Sequence, residues 1–562
     1  MLRLARFLKG HIPQAIIAPL CKLIEAIAEL AVPMIVANVI DIGIAGGDKA
    51  YVIKYCIIIA ALAVGGFIIS ITGQFLASKV GMHFGTRLRT ATFKRINSLP
   101  ASAANRMGGA SIVTRITGDV MNCQQAVNMF LRLVLRMPFV LVGALVMSMI
   151  IDPVLSLLFV AMAVVLGGII SCVLKISLPR IRRSQKNLDE LSRRSTESLT
   201  GARVIRAFNK QSNTEASFSS AADVTAKTNM SVSRIAALLA PMTFAVVNLA
   251  IICVLWFGGI KVNNGALTQG QIVALINYLN QAFFVIVAIG NVFSVFTRSA
   301  ACAARVNEIL DCPLEQDGNL EDIPDCDNVV EFCNVSFAYD GDYDVRDISF
   351  AVGKNKTLGI IGGTGSGKST IINLIERFYS PDVGTIKFCG ENLQSYRADA
   401  VRKAIGYVPQ RTAVLAGTIE SNLKIANPAL TKERALTALK IAQAEELLAS
   451  HGLDGAVAQD GKNLSGGQKQ RVNIARSLCR DNLLYLFDDA TSALDYKTER
   501  NFIEAMNDVS GAKIFVSQRI SAVSGCDEIL VLDNGKIVGR GTHDALKSSC
   551  PLYAEFCASQ VG

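Results

Sequence analysis

A glycine-rich segment near the middle of the chain has the pattern of a phosphate-binding loop. Its residues are Gly362, Gly363, Thr364, Gly365, Ser366, Gly367, Lys368, Ser369 and Thr370. It lies between the apolar run 357–361 and an apolar run that begins at Ile371, which places G-x-x-x-x-G-K-S between a strand and a helix. Backbone N–H groups and a helix N-terminus can then surround phosphates. We expect Lys368 to reach the β- and γ-phosphates of ATP and the Ser369 hydroxyl to bind Mg²⁺.

Two adjacent aspartates, Asp488 and Asp489, follow a second apolar run at 483–487. Asp488 then stands at the end of a predicted strand, where it would orient the Mg²⁺ shell. The alternative is that either aspartate only caps a helix, but the phosphate loop upstream favours the nucleotide site.

A second candidate phosphate-binding element precedes a predicted helix at 469–478. Its residues are Leu464, Ser465, Gly466, Gly467 and Gln468. The helix N-terminus offers free N–H groups, and the glycines allow close approach. One chain has no obvious use for two such elements on one nucleotide. We therefore expect this one to cover ATP that is bound by another copy or by a partner.

The composition places these motifs in a membrane protein. Hydrophobic residues make up 51% of the 562 residues, and charged residues make up 18%. That is too apolar for an ordinary soluble protein. The sequence contains six apolar stretches long enough to span a bilayer, near residues 13–42, 51–78, 131–151, 154–176, 236–261 and 271–297.

The distribution of Lys and Arg indicates the orientation. The segments between the second and third spans and between the fourth and fifth are strongly basic, and the opposite loops carry few charges. The positive-inside rule places both segments, the N-terminus and the C-terminal part in the cytoplasm. This topology accounts for the net charge of +10 better than nucleic-acid binding does, so no nucleic-acid partner is expected.

Apolar residues at helical spacing continue from the spans into both basic segments, with tight turns expected at Gly108, Gly109 and Gly201. The predicted parts are a transmembrane domain at 1–311 with an interfacial helix at 1–10, a linker at 312–328 and a nucleotide-binding domain at 329–562. The 14 cysteines show no C-x-x-C pair and no metal-ligand spacing, which favours free, reduced thiols.

Three further motifs join the phosphate loop and the 464–468 element. They are Tyr339, Gln410 and the run Ser492, Ala493, Leu494 and Asp495. With them the chain resembles, over essentially its full length, an ABC exporter half-transporter. The resemblance implies a membrane all-α domain of six helices with long cytoplasmic extensions, followed by an α/β P-loop ABC ATPase domain.

The resemblance also implies roles for these residues. Tyr339 matches the aromatic residue that stacks on adenine, and Gln410 matches the loop glutamine that contacts Mg²⁺ and senses the membrane domain. The run 492–495 matches a segment that communicates across a dimer. ATP would lie between two ATPase domains, and each site would use one domain's phosphate loop and the other domain's 464–468 element.

Two residues depart from the family pattern. The family has a glutamate after the Mg²⁺ aspartate and a histidine at the switch position, where this chain has Asp489 and Gln518. Asp489 is one methylene shorter, and a shift of about 1 Å in a catalytic group can cost roughly 10²-fold in rate. With Gln410, these residues form the expected catalytic set. The pattern resembles the degenerate-site subunit of bacterial heterodimeric multidrug exporters, although a homodimer that tolerates both changes is an alternative.

The expected function is ATP-driven export of small hydrophobic or amphipathic compounds across a bacterial cytoplasmic membrane, together with a second half-transporter. One alternative keeps the fold but carries one metabolite, lipid, peptide or siderophore, including import. Another, a soluble ABC ATPase acting on ribosomes or DNA, does not agree with six spans.

Charged residues within the spans allow two interpretations. The first span carries Lys22, Glu25 and Glu29, and the third begins with Arg132 and Arg136. The i, i+4 spacing would put each like-charged pair on one helix face. They would then line a vestibule for substrate or form ion pairs between helices, and the sequence favours pairing without deciding the question.

The sixth span carries polar and aromatic residues, and they are Asn277, Asn280, Gln281, Phe283 and Phe284. These side chains could equally line a transport path or join helices.

Overall fold

The computed structural model describes residues 2–315, 317–339 and 341–560. It divides into two compact units. The first comprises Met1–Asn97 and Met107–Cys312, and the second comprises Ser98–Arg106 and Pro313–Gly562. The segment Ser98–Arg106, which lies inside the predicted transmembrane domain, therefore packs with the second unit.

The chain is helical up to Asp311. Its α-helices there are α1 (Ile12–Asn38), α2 (Lys49–Ile96), α3 (Ala101–Met107), α4 (Gly109–Thr114), α5 (Val120–Met129), α6 (Arg136–Ile151), α7 (Pro153–Thr200), α8 (Ala202–Ala207), α9 (Gln211–Asn263) and α10 (Gln269–Asp311). A 3₁₀ helix precedes them at Leu2–Leu8, where an interfacial helix is predicted. π-helical segments occur at Val39–Ile44, Arg115–Asp119 and Phe130–Val134.

The predicted membrane spans are confirmed. Six stretches within the described residues are long and apolar enough to cross a membrane, and they are Ile12–Ile44, Lys49–Ile96, Gly109–Ile151, Pro153–Thr200, Gln211–Asn263 and Gln269–Asp311. Each contains one predicted span. Because about 20 residues cross a bilayer, α2 and α7 with 48 residues and α9 with 53 must extend well beyond it.

Local sequence explains where several long helices begin. The Asp48 side chain accepts a hydrogen bond from the Tyr51 N–H at the start of α2. Asp152 accepts two at the start of α7, where Pro153 occupies the first turn and needs no N–H partner. Thr268 begins α10 with a capping box.

All twelve strands of the described residues lie in the second unit, and they pack around two clusters of buried apolar side chains. The strands are β1 (Asn328–Phe337), β2 (Val345–Gly353), β3 (Thr357–Gly362), β4 (Val383–Phe388), β5 (Glu391–Asn392), β6 (Ile405–Val408), β7 (Gly417–Thr418), β8 (Ala456–Val457), β9 (Leu484–Asp488), β10 (Ala512–Ser517), β11 (Glu528–Asp533) and β12 (Lys536–Gly541). The described strands form a six-stranded sheet in the order β12-β11-β3-β10-β9-β6 and an antiparallel sheet in the order β2-β1-β4-β5.

Helices surround the six-stranded sheet. They are α11 (Lys368–Ile375), α12 (Ala398–Ala404), α13 (Ile419–Leu423), α14 (Lys432–Ile441), α15 (Glu445–His451), α16 (Gly466–Ser477), α17 (Tyr496–Met506), α18 (Ile520–Val523), α19 (His543–Ser549) and α20 (Pro551–Gln560). Every residue of β9 and β10 is buried, as expected for central parallel strands covered on both faces. Strands β3, β10 and β9 run parallel, so their carboxyl ends meet at one edge of the sheet.

The structure brings two cysteines of the second unit together. The Sγ atoms of Cys326 and Cys389, which are 63 positions apart in sequence, lie in contact, and their Cα atoms are 5.2 Å apart. The turn between β4 and β5 brings Cys389 beside the residues that precede β1, where its N–H donates to the Val329 carbonyl at 3.0 Å. Sequence spacing does not reveal this meeting of two strands. The other cysteines of the described residues are free.

Candidate nucleotide site

The phosphate loop has the predicted strand–loop–helix context. It begins where β3 ends at Gly362 and continues into α11 at Lys368. Gly365 and Gly367 have φ values of 81° and 95°, which L side chains rarely adopt. A Cβ atom at Gly367 would also lie 2.8 Å from the Asp344 carbonyl oxygen. The loop conformation therefore depends on glycine at these positions.

Lys368 is held against the loop that it follows. Its Nζ atom donates to the carbonyl oxygens of Gly362 at 2.9 Å and Gly363 at 2.6 Å. Burial lowers the pKa of Lys368, and the carboxylates of Asp489 and Asp488 act in the opposite direction. The ammonium group is thus fixed beside the loop and faces two acids.

Two of the three residues predicted to hold Mg²⁺ lie in direct contact. The Ser369 hydroxyl donates to Oδ1 of Asp488 at 3.1 Å, and Asp488 is the last residue of β9. Burial raises the pKa of Asp488, while the hydrogen bond from Ser369 lowers it. A carboxylate and a hydroxyl are hard oxygen donors of the kind that Mg²⁺ prefers, so this donor set fits the metal.

A cavity of about 210 Å³ joins these groups. It is lined by Asp344, Thr364, Gly365, Ser366, Gly367, Lys368, Ser369, Thr370, Gln410, Asp488, Asp489 and Gln518. The structure therefore brings both departures from the family pattern to the phosphate loop. Sequence reasoning missed Asp344, whose Oδ2 accepts a hydrogen bond from the Tyr339 N–H at 2.8 Å.

Asp489 and Gln518 enter the cavity from neighbouring strands of the sheet. Asp489 follows β9, and its N–H donates to the Val516 carbonyl at 2.8 Å. It has a φ of 50°, a region that aspartate tolerates better than most residues do. Gln518 follows β10, and its loop is fastened by Gln560 of α20.

The Gln560 amide holds the backbone on both sides of the switch residue. Its Nε2 atom donates to the Gln518 carbonyl at 2.8 Å, and its Oε1 atom accepts from the Ile520 N–H at 2.8 Å. Sequence reasoning missed this residue, because it lies far along the chain and belongs to no motif.

Tyr339 lies beside α11. Asn373 donates to the Tyr339 hydroxyl at 2.9 Å, and the Tyr379 ring meets the Tyr339 ring edge-on at 4.8 Å. The Tyr339 residue is 40% exposed, so part of it is open to contact. An aromatic ring fixed in this way can stack on a base.

The 464–468 element starts α16. Ser465 and Gln468 form a reciprocal capping box, and Gly466 and Gly467 open the helix. None of its residues lines the phosphate-loop cavity of the described chain. The element instead adjoins 492–495, because the Ala493 carbonyl oxygen lies 3.2 Å from where a Cβ of Gly467 would stand.

The run 492–495 is fixed by neighbouring groups. Arg519, next to the switch residue, donates to the Ser492 carbonyl at 3.0 Å and to the Leu494 carbonyl at 3.3 Å. Asp495 caps α17 by accepting from the Thr498 N–H. This run therefore links the switch loop to the 464–468 element within one unit.

Comparison with known proteins agrees with this geometry. A family model described as ABC transporter transmembrane region matches residues 15–287, and one described as ABC transporter matches residues 345–492. An uncharacterized ABC transporter ATP-binding protein of Mycobacterium tuberculosis is 33% identical over 550 residues, which cover 96% of this chain and 94% of that protein. The chain belongs to the ABC transporter family.

Further relatives match along the whole ABC transporter chain. The uncharacterized ABC transporter ATP-binding protein YfiB of Bacillus subtilis is 32% identical over 562 residues, which cover 99% of this chain and 98% of the relative. A solved bacterial Atm1-family ABC exporter with ATP bound superimposes with a TM-score of 0.82 at 24% identity, covering 98% of this chain and 99% of that chain. The protein is a multi-pass membrane protein of exporter fold, with one membrane region and one ATPase domain.

The charged residues of the first and third spans divide into paired and unpaired groups. Arg136 lies 2.6 Å from Glu29 and 3.9 Å from Glu25. Arg132 donates instead to the Gln74 amide oxygen at 2.8 Å. The i, i+4 spacing does not place the two arginines on one helix face as it would in a regular α-helix. The reason is that the segment Phe130–Val134 between them is π-helical and has more residues per turn.

The polar residues of the sixth span are used mainly within the protein. Asn277 donates to the Val273 carbonyl of its own helix, and Gln281 donates to the Glu29 carbonyl across helices at 3.3 Å. Asn280 and Phe283 are half-buried, whereas Phe284 is exposed. Gln281 therefore joins helices, as one interpretation of the sequence predicts.

Proposed function

We propose that this chain is one half of a heterodimeric, ATP-driven exporter of hydrophobic or amphipathic compounds, and that its own ATP site hydrolyses slowly. The observation that carries this proposal is the lining of one cavity. Asp489 and Gln518 stand there beside an intact phosphate loop. ATP binding and ATP hydrolysis depend on different residues of this cavity, so one can be retained while the other is weakened.

In this proposal the loop and its neighbours hold the nucleotide. Lys368 and the backbone N–H groups of 363–370 bind the β- and γ-phosphates, and Tyr339 stacks on adenine. Ser369, Asp488 and Gln410 would hold Mg²⁺, which when bound offsets charge on the phosphate oxygens. The residues that bind ATP are thus complete.

The hydrolytic step is where this site is weak. A carboxylate must position the water that attacks the γ-phosphate, and the Asp489 side chain is one methylene shorter than glutamate. Gln518 cannot supply the ring nitrogen of a histidine, although its amide can donate a hydrogen bond. A displacement of about 1 Å in such a group costs roughly 10²-fold in rate.

The partner would carry the competent site. The 464–468 element is intact in sequence and lines no part of this chain's own cavity within the described residues. It would therefore cover ATP bound by the second half-transporter. The partner is expected to have glutamate and histidine where this chain has Asp489 and Gln518.

The orientation and the cargo belong to the same proposal. In this proposal the N-terminus and the ATPase domain face the cytoplasm of a bacterial cell, and the spans lie in its cytoplasmic membrane. The two basic segments between spans support this orientation by the positive-inside rule. Polar and aromatic groups together in the spans suit amphipathic cargo, including drugs and lipids. A transporter of one metabolite, peptide or siderophore keeps the same ATP chemistry and differs only in the cargo.

Co-purification tests the proposal directly. A tagged chain isolated from its native membranes is expected to bring a second half-transporter that carries the glutamate and the histidine. The purified pair in lipid vesicles should hydrolyse ATP and respond to amphipathic compounds, whereas this chain alone should hydrolyse slowly. Robust ATPase activity of the pure chain would contradict the unequal pair.

A further inference from the structure

A group of polar side chains lies within the membrane-spanning helices of the first unit. We call it the inner polar cluster, and its residues are Lys22, Glu25, Glu29, Ser70, Gln74, Arg132 and Arg136. It joins α1, α2, the π-helical segment before α6, and the start of α6. Charges at this depth are costly unless they are paired or face water or a ligand.

Both carboxylates of the cluster are already used by two of its cations. Glu25 receives a hydrogen bond from Lys22 at 2.7 Å, and Lys22 also donates to Ser70 at 2.8 Å. Glu29 receives one from Arg136 at 2.6 Å. The Arg136–Glu29 pair and the Lys22–Ser70 hydrogen bond join different helices. Both acids of the cluster are thus already paired with a cation.

Arg132 is the cation that remains. It donates to the neutral amide oxygen of Gln74, and among the described residues no carboxylate pairs with it. Its Nε atom is buried and has no hydrogen-bond partner within the described chain. The cluster therefore carries one positive charge in excess, and that charge lies on Arg132.

A second arginine of the cluster also has an unpaired donor. Nε of Arg136 is buried without a hydrogen bond among the described residues, as Nε of Arg132 is. Buried polar atoms are normally satisfied, so these two unpaired N–H donors point to a hydrogen-bond acceptor from outside the chain.

The backbone and the apolar surroundings of Arg132 suit an amphiphile. Arg132 stands in the middle of the π-helical segment Phe130–Val134, and π-helical turns occur frequently at functional sites. Phe130 and Leu135 on either side are 46% and 48% exposed. Counting back from Asp152 at about 1.5 Å per residue places Arg132 about 30 Å along the helix, near the far membrane boundary.

We infer that Arg132 binds the anionic headgroup of an amphiphile, a phosphate, sulfonate or carboxylate, while Phe130 and Leu135 contact its apolar part. The guanidinium group matches such oxyanions with paired N–H donors. This inference rests on the proposed transport function for the meaning of the site. The headgroup can belong to a transported solute or to a lipid of the inner leaflet, and both share this chemistry.

A binding measurement without ATP separates the inference from the proposed unequal pair. The full-length chain, purified from its native membranes in the assembly that it forms there, is placed in nanodiscs of neutral phosphatidylcholine and titrated with dodecyl phosphate or dodecyltrimethylammonium. Arg132→Gln should weaken dodecyl phosphate binding about tenfold and leave dodecyltrimethylammonium binding unchanged. Arg132→Lys should stay within about threefold of the native chain, because it keeps the charge.

Arg234→Gln is the matched control, because Arg234 is an exposed arginine in the extension of α9. It should leave both affinities unchanged. Adding phosphatidylglycerol separates the two sources: competition at Arg132 supports a lipid headgroup, and its absence supports a transported anion. Unchanged dodecyl phosphate binding in Arg132→Gln overturns the inference. So does loss of partner assembly in Arg132→Gln alone, which would assign Arg132 to a carboxylate of the partner.

Discussion

The nucleotide site and the inner polar cluster both hold charge away from bulk water, but they are built from opposite kinds of sequence. The nucleotide site takes most of its lining from the consecutive residues 364–370 and depends on backbone geometry at Gly365 and Gly367. The cluster takes side chains from positions as distant as Lys22 and Arg136. One site is local in sequence, and the other exists only after the helices pack.

This difference explains what each site can lose. A cradle made of backbone N–H groups is expected to keep its affinity for phosphate when nearby side chains change, such as Asp489 and Gln518. A cluster made of side chains changes its net charge when one of its charged side chains is replaced by a neutral one. Evolution can therefore alter hydrolysis at the first site and ligand choice at the second without rebuilding either unit.

The largest effect is expected when the Lys368 side chain of the phosphate loop is removed. Lys368→Ala should weaken ATP binding by roughly 10²- to 10³-fold, because a charge-assisted contact to the phosphates is lost. Titration with a fluorescent ATP analogue measures the affinity. Lys354→Ala is the control, since Lys354 is half-exposed and pairs with Asp325 at the surface. Equal affinity in both variants would show that backbone groups alone hold the nucleotide.

A buried acid beside the helix that follows the phosphate loop should make the stability of the ATPase unit depend on pH. Glu376 follows α11, its Oε1 atom has no hydrogen-bond partner within the described chain, and burial raises its pKa to about 7. Since its pKa in the unfolded chain is about 4.3, the folded state binds the proton more tightly. Stability should fall by about 3 kcal/mol as the pH rises from about 4.5 to about 7.

Thermal unfolding of the full-length chain at pH 5 and pH 7.5 measures this dependence. Glu376→Gln should remove most of the loss and raise the unfolding temperature of the ATPase unit at pH 7.5 by roughly 5 °C. An identical pH dependence in the variant and the native chain would mean that Arg402 and Arg480 already compensate the carboxylate.

The membrane cluster should respond to the loss of one acid with a smaller effect. Glu29→Gln removes the carboxylate that lies 2.6 Å from the Arg136 guanidinium group. The Glu25 carboxylate remains, at 3.9 Å from the same group. The cost should be about 1 kcal/mol, the size found for polar contacts between membrane helices. Unfolding in detergent measures it, with the exposed Glu197→Gln as the matched acid. A cost below that of the control would mean that Arg136 does not depend on this pair.

The smallest effect concerns the tether of the switch loop. Gln560→Ala removes two exposed hydrogen bonds to backbone groups beside Gln518, each contributing about 0.5 kcal/mol. Hydrogen exchange at the Ile520 amide should then be roughly fivefold faster, because the loop opens more easily. Ser559→Ala, next to it in α20, should leave that rate unchanged. Equal exchange in both variants would remove Gln560 from the site.

Sequence reasoning predicted the parts of the fold that are encoded locally. The phosphate loop follows from glycines at positive φ, the spans follow from apolar length, and the start of α16 follows from the capping box of Ser465 and Gln468. Each of these depends on neighbours within a few positions. Asp488 was predicted to stand at a strand end near the phosphate loop, and its carboxylate accepts a hydrogen bond from Ser369 of that loop.

The rest depends on contacts between distant segments. Gln560 meets the Gln518 loop, and Cys326 meets Cys389, with no local signal for either contact. Arg136 pairs with Glu29, whereas Arg132 contacts Gln74. Sequence spacing could not predict this difference, because it arises from a π-helical turn. Tertiary packing determines these contacts. Each one involves a residue that no sequence motif identifies as a partner.

We propose that this chain's ATP site binds nucleotide and is slow only in hydrolysis. ATP turnover of the purified full-length chain in nanodiscs, native and with Asp489→Glu and Gln518→His together, tests this. We expect slow turnover in the native chain, equal ATP affinity in both, and a gain of roughly 10²-fold in the double variant. Rapid turnover in the native chain, or no gain in the double variant, would contradict it.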